Sequence, residues 1–189
     1  MQKEKKKNTQ WSIDLLGECQ VDKIKEEILS FSNEWFLDTS RQEIFKTHKD
    51  TQMFQLRYMD YEWQPGNTID YRDVNSFNSI QAQEQISQIF NKLENHFDGR
   101  VVRAEVIKML ANTEVKAHVD GGNMLYVSRR CHVPIITNKD VSFTVMNNTI
   151  NMEEGKIYEI NNGMPHAVKN SSNIDRVHLI LDILPNRYF

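Results

Sequence analysis

The sequence is poor in cysteine: its 189 residues hold two, Cys19 and Cys131, far apart and at no spacing that zinc ligands use. Free thiols in a reducing compartment are the expectation, and with them a cytoplasmic location. Long apolar runs are also missing. No stretch is apolar enough to cross a bilayer, and the charged start Met1-Gln2-Lys3-Glu4-Lys5-Lys6-Lys7 leads into no apolar segment of the signal-peptide kind. Neither a membrane span nor a signal peptide is therefore expected. The Lys5-Lys6-Lys7 run is short and belongs to a chain of net charge −3 and pI about 6.1, so it reads as a solvated tail, and no nucleic-acid partner is expected. No internal repeat, low-complexity tract or linker divides the chain.

What is present suffices for one domain over residues 1–189. A chain of this length buries roughly 70% of its unfolded surface, so it folds without disulfides or a structural metal, and any metal it holds is functional. The expected layout is a tail over 1–10, a helical and mixed support region over 11–100, and a jelly-roll core over 101–184. Apolar residues at intervals of three and four predict an amphipathic helix over 21–36 and a second over 78–96, the latter ended by Gly99. A strand is expected over 52–58, followed by an aromatic and acidic loop around Pro65-Gly66. Downstream, eight short β-type runs follow, at 101–110, 114–118, 126–137, 141–146, 149–152, 156–160, 167–170 and 176–184. Short strands at this spacing, with helices upstream, predict a mainly β chain folded as a double-stranded β-helix of the jelly-roll, cupin-like kind.

The chemistry gathers at His118-Val119-Asp120. Side chains two apart on a strand share a face, so His118 and Asp120 can offer adjacent ligand atoms to one metal, with His166 arriving from another strand. Two histidines and a carboxylate form the facial triad of non-haem Fe(II) oxygenases. A His-x-Asp pair alone can equally be a hydrogen-bonded patch at a strand end. Two further stretches alternate in an unusual way. In Arg130-Cys131-His132-Val133-Pro134-Ile135 and in Arg176-Val177-His178-Leu179-Ile180-Leu181-Asp182, one face is apolar and the other carries Arg130 and His132, or Arg176, His178 and Asp182. Those polar faces either meet water or sit inside the jelly-roll mouth, where a dianionic small molecule would neutralise the arginines.

In order along the chain, His118-Val-Asp120, Arg130-Cys-His132-Val-Pro-Ile-Ile-Thr-Asn138, Met152-Glu-Glu-Gly155, His166-Ala-Val-Lys-Asn170 and Arg176-Val-His-Leu with Asp182 resemble the aspartyl/asparaginyl β-hydroxylase family. The stretch covers somewhat under half the chain, and Asp120 makes it similar to the proline-hydroxylase type rather than to the animal peptidyl hydroxylases. The resemblance implies an Fe(II)- and 2-oxoglutarate-dependent dioxygenase that hydroxylates an unactivated C–H bond of an amino acid, peptide or protein side chain. It implies His118, Asp120 and His166 as metal ligands, with no separate acid–base residue, and dioxygen as second cosubstrate. It further implies Arg176 as the anchor of the distal carboxylate of 2-oxoglutarate, assisted by Arg130 and His132. Competing readings are a non-catalytic jelly-roll protein that binds a small carboxylate, and a cupin-type metalloenzyme without 2-oxoglutarate. The loop residues Asp60, Tyr61 and Trp63 are candidates for contacting an amine-bearing substrate, as a lid over the mouth; the alternative is a surface loop whose aromatics pack on the second helix.

Overall fold

The computed structural model describes residues 11–39, 42–43 and 46–189; the expected tail over 1–10 lies outside the described residues. The chain enters as β1 (Ile13–Glu18), α1 (Asp22–Leu29), β2 (Thr51–Met59), β3 (Tyr71–Asp73) and α2 (Ile80–Phe97). There follow β4 (Gly99–Met109), β5 (Thr113–His118), the short helix α3 (Asn123–Val127), β6 (Arg129–Ile136), β7 (Val141–Val145), β8 (Asn148–Ile150), β9 (Lys156–Ile160), β10 (His166–Asn170) and β11 (Arg176–Pro185). The strands form two antiparallel sheets, one of seven in the order β1-β9-β6-β11-β4-β2-β3 and one of four in the order β5-β10-β7-β8. This is the double-stranded β-helix expected. Its N-terminal segment contributes helices and also three strands of the larger sheet.

The helices cover one face of the seven-stranded sheet. Ile24 and Ile28 of α1 and Ile86, Ile89 and Leu93 of α2 join Val133, Ile135, Val177, Leu179 and Leu181 in one buried cluster. The two helices are tied together at their starts, and Ser79 caps α2 by accepting from the Ala82 amide. Gln85 on α2 accepts from the amides of Lys23 and Ile24 and donates to Asp22, while Glu27 on α1 accepts from the amides of Asn78 and Ser79. These bonds satisfy backbone donors that a helix start leaves open. The opposite face of the large sheet meets the four-stranded sheet, where Met109, Tyr158 and Ile160 pack with Val115, Phe143, Val145 and Val168.

Four expectations need correction. The first helix stops at Leu29 instead of running to 36, because Ser30, Ser32 and Asn33 follow, residues that compete with a helical backbone. There Ser30 Oγ bonds the Glu27 carbonyl, the Ser32 amide bonds the Glu34 carboxylate, and a separate 3-10 turn covers Glu34–Phe36. Gly99 does not end the second helix: Asp98 takes the left-handed position at φ 47°, and Gly99 opens β4. A β-carbon on Gly99 would lie 2.6 Å from the Leu184 carbonyl, so the glycine serves close strand approach. The start of the run at 126 is the end of α3, not strand. Last, β1 and β3 were not anticipated.

Candidate metal centre

His118 closes β5 and His166 opens β10, and the register pairs these two residues directly. Their rings stand 4.3 Å apart between centroids. Asp120 follows two residues after His118, its amide donating to the Asn162 carbonyl at 3.2 Å. Its Oδ1 lies 3.7 Å from Nε2 of both His118 and His166, and one potential ligand atom from each of the three residues falls within 4.8 Å of the others. Each Nδ1 is held by a carbonyl two residues back in its own chain, Lys116 at 2.9 Å and Met164 at 3.0 Å. A carbonyl only accepts, so Nδ1 carries the proton and Nε2 presents a lone pair toward Asp120. For His166, burial chiefly lowers the pKa, against the pull of Asp120, which favours the neutral ligand form. Donor set, tautomers and convergence fit one divalent metal ion.

The second oxygen of Asp120 is occupied. Arg130 Nη1 donates to Oδ2 at 2.5 Å, while its Nε and Nη2 make a two-pronged bond with Asp182 at 2.9 and 2.8 Å. The pair crosses adjacent strands, Asp182 on β11 standing opposite Arg130 on β6. Burial disfavours the guanidinium charge, but Asp120 and Asp182 outweigh it and hold the Arg130 pKa well above its usual value. Arg130 therefore fixes the carboxylate that faces the histidines.

The polar faces of β6 and β11 turn inward. Arg130, His132, Arg176, His178 and Asp182 are all buried, with His178 and Asp182 at 1% exposure. Of the two readings of these strands, water contact is thereby excluded. The His132 ring lies 5.1 Å from that of Phe143 and 5.8 Å from that of His178, and its protonation is opposed by burial, by Arg176, by Arg130 and by His166 in that order, which favours the neutral form. His178 stays neutral for the same leading reason, burial, reinforced by Arg176 and His132. Nδ1 of His132 and Nε2 of His178 are buried with no hydrogen-bond partner among the described residues.

A cavity of about 310 Å³ opens beside His118 and Asp120, lined also by His48, Tyr61, Glu62, Val119, Gly121, Gly122, Leu125 and Arg130. Tyr61 is a fixed wall. Its ring lies 3.6 Å from the Arg103 guanidinium, its carbonyl accepts from the Met124 amide, and a side chain at Gly122 (φ 104°) would strike its backbone. Arg103 itself is buried against Glu105. Asp60 is exposed and faces a neighbouring cavity, whereas Trp63 is buried among Met59, Val102, Met124, Leu125 and Leu184. The loop's tryptophan packs, then, though on α3 and β11 rather than on the second helix. Sequence reasoning missed His48, whose ring meets His118 edge-on at 5.1 Å; it stands far upstream in a polar stretch with no periodic signal.

Two facing antiparallel sheets with a His-Asp-His site between them define the class, a double-stranded β-helix protein with a candidate metal centre. The chain belongs to the aspartyl/asparaginyl beta-hydroxylase family, whose sequence model matches residues 18–185. Among solved structures, the fold is similar to that of an oxidoreductase of the 2OG-Fe(II) oxygenase family from Burkholderia pseudomallei, with a TM-score of 0.53 at 13% identity over 72% of this chain and 69% of that one. A cupin domain from Bordetella pertussis Tohama I aligns at 18% identity over 43% of this chain and 79% of its own, with a TM-score of 0.35.

Proposed function

We propose that this protein is an Fe(II)- and 2-oxoglutarate-dependent dioxygenase that hydroxylates an unactivated C–H bond of an amino acid, peptide or protein side chain. The observation that carries the reading is the convergence of two Nε2 lone pairs and one carboxylate oxygen, 3.7 Å from histidine to aspartate on both sides, beneath an open cavity. Family membership and the triad together support iron as the metal. With iron bound, 2-oxoglutarate and dioxygen supply the oxidising power: the oxo acid leaves as succinate and carbon dioxide, and one oxygen atom goes to the substrate carbon.

The chain's own residues bind and orient. His118, Asp120 and His166 would hold the metal, and Arg130 keeps Asp120 turned so that one oxygen serves the site. That engagement makes Arg130 a support of the ligand set, and leaves Arg176 as anchor for the distal carboxylate of 2-oxoglutarate, with His132 on the neighbouring strand β6. Guanidinium matches carboxylate in a two-pronged fit. Tyr61, Val119 and Leu125 give the cavity apolar walls, and Glu62, not Asp60, shares it with His118 and Asp120. An amine on the substrate would pair with Glu62 and bring a neighbouring C–H bond over the metal. Anaerobic titration with Fe(II) and then 2-oxoglutarate tests the reading: a weak visible charge-transfer band should grow when both are present, and its absence, with no succinate formed in air, rejects it.

A further inference from the structure

The row of side chains that β11 turns toward the small sheet includes one whose role is not yet assigned, His178. It is 1% exposed, and its Nδ1 is hydrogen-bonded to Nη2 of Arg176. A guanidinium only donates, so Nδ1 is the acceptor, and the ring's one proton sits on Nε2. That Nε2–H is buried with no acceptor among the described residues. It stands in the same polar row as Arg176 and beside His132, at 5.8 Å between ring centroids. The backbone there is specialised as well. Pro134 cannot donate to the ladder, and the pairing of β6 with β11 slips by one residue between Val177 and His178, a bulge of the kind that re-aims a side chain.

A buried donor with no acceptor is costly, and one set beside a buried arginine is matched by an anionic acceptor brought in by a ligand. We propose that His178 is a cosubstrate-binding residue with two jobs: Nδ1 fixes the plane of the Arg176 guanidinium, and Nε2–H donates to the same distal carboxylate of 2-oxoglutarate that Arg176 pairs with. The inference rests on the cosubstrate assignment made above. Two donors converging on one carboxylate, Arg176 and His178, favour a dicarboxylic oxo acid over a monocarboxylic one.

The two jobs separate by substitution. His178→Asn places an amide oxygen near the Nδ1 position and keeps the support of Arg176, whereas His178→Gln places an amide near the Nε2 position and keeps the donor. His178→Phe keeps the bulk and removes both. Calorimetric titration of 2-oxoglutarate into the Zn(II)-loaded protein without oxygen should show binding weakened about tenfold by the Asn and Gln changes and further by Phe. Zn(II) affinity and cooperative unfolding should stay as in the wild type. If Phe fails to fold, Asn and Gln carry the test. Wild-type 2-oxoglutarate affinity in both variants, or an equal loss of Zn(II) and 2-oxoglutarate binding, overturns the role of His178. No binding of 2-oxoglutarate to the wild type overturns the cosubstrate assignment itself, and this inference with it.

Discussion

On β11, Val177, Leu179, Leu181 and Ile183 meet the helices, while Arg176, His178 and Asp182 from the same strand face the small sheet, and every one of them is buried. Burial is thus equal on the two faces, and its physical basis is opposite. The helix side needs only apolar volume that fills space. The inner side needs a partner for each polar group, and the partners are specific: Asp182 has Arg130, and Arg130 also has Asp120. A strand that only had to fold would show apolar residues on both faces, as central strands in covered sheets do. The polar inner row marks where this protein departs from the cheapest core.

Substitutions on the two faces should therefore fail differently. The largest effect belongs to the metal ligands: His166→Ala should abolish metal retention and succinate formation while the unfolding transition stays cooperative, as read by metal analysis and thermal denaturation. Retained Fe(II) affinity with turnover would remove His166 from the ligand set. Next comes Arg130→Met, which leaves the buried Asp182 and the half-buried Asp120 without their cation and should cost roughly 3–5 kcal/mol of stability as well as Fe(II) affinity. On the dry face, Leu179→Ala should cost about 2–5 kcal/mol in urea unfolding yet leave the Michaelis constants of the folded protein unchanged. Altered constants there would mean that the faces are coupled.

Smaller effects sharpen the contrast. Arg176→Lys keeps a charge but loses the planar fork, so 2-oxoglutarate affinity should fall by about 1.5–3 kcal/mol with Fe(II) binding unchanged. The inner face should also make stability depend on pH. Burial holds His132 and His178 neutral in the folded state, with pKa values well below the ordinary one. The unfolded chain binds protons there near pH 6.5, so acid favours unfolding; the stability is complete above that pH and declines as pH falls toward the folded values. Each group should contribute a slope of up to about 1.4 kcal/mol per pH unit, measurable as a shift of the urea midpoint, and His178→Asn should remove one share. A flat profile between pH 6.5 and 5 would contradict neutral burial of the pair.

Much of this was legible in the sequence. Alternation in β6 and β11 gave both faces correctly, and each of the eight expected strand regions contains a strand, because side chains that alternate in polarity between two differently covered faces leave a strong pattern. The convergence of His118, Asp120 and His166 was legible from residue types and order. Edges were not. β3 has three residues and β1 is only half-buried, with a bulge between Leu15 and Gly17, where φ reaches 141°, so neither carries a clean alternation. Roles inside the site were also hidden. A sequence shows that Arg130 can bind a carboxylate, but the choice between a bound oxo acid and the two aspartates depends on which strands become neighbours. His48 and the fixed placement of Tyr61 depend on tertiary contacts that leave no periodic trace.

The two histidines of the triad are steadied by the carbonyls of Lys116 and Met164, each two residues upstream in its own strand or turn. Every amino acid supplies a carbonyl, so the side chains at 116 and 164 are free to drift without loosening the rings. The orienting partners of this centre are therefore written in main-chain path rather than in residue identity. Relatives can share that support while showing no common residue at either position, and a redesigned site could inherit it by copying backbone alone.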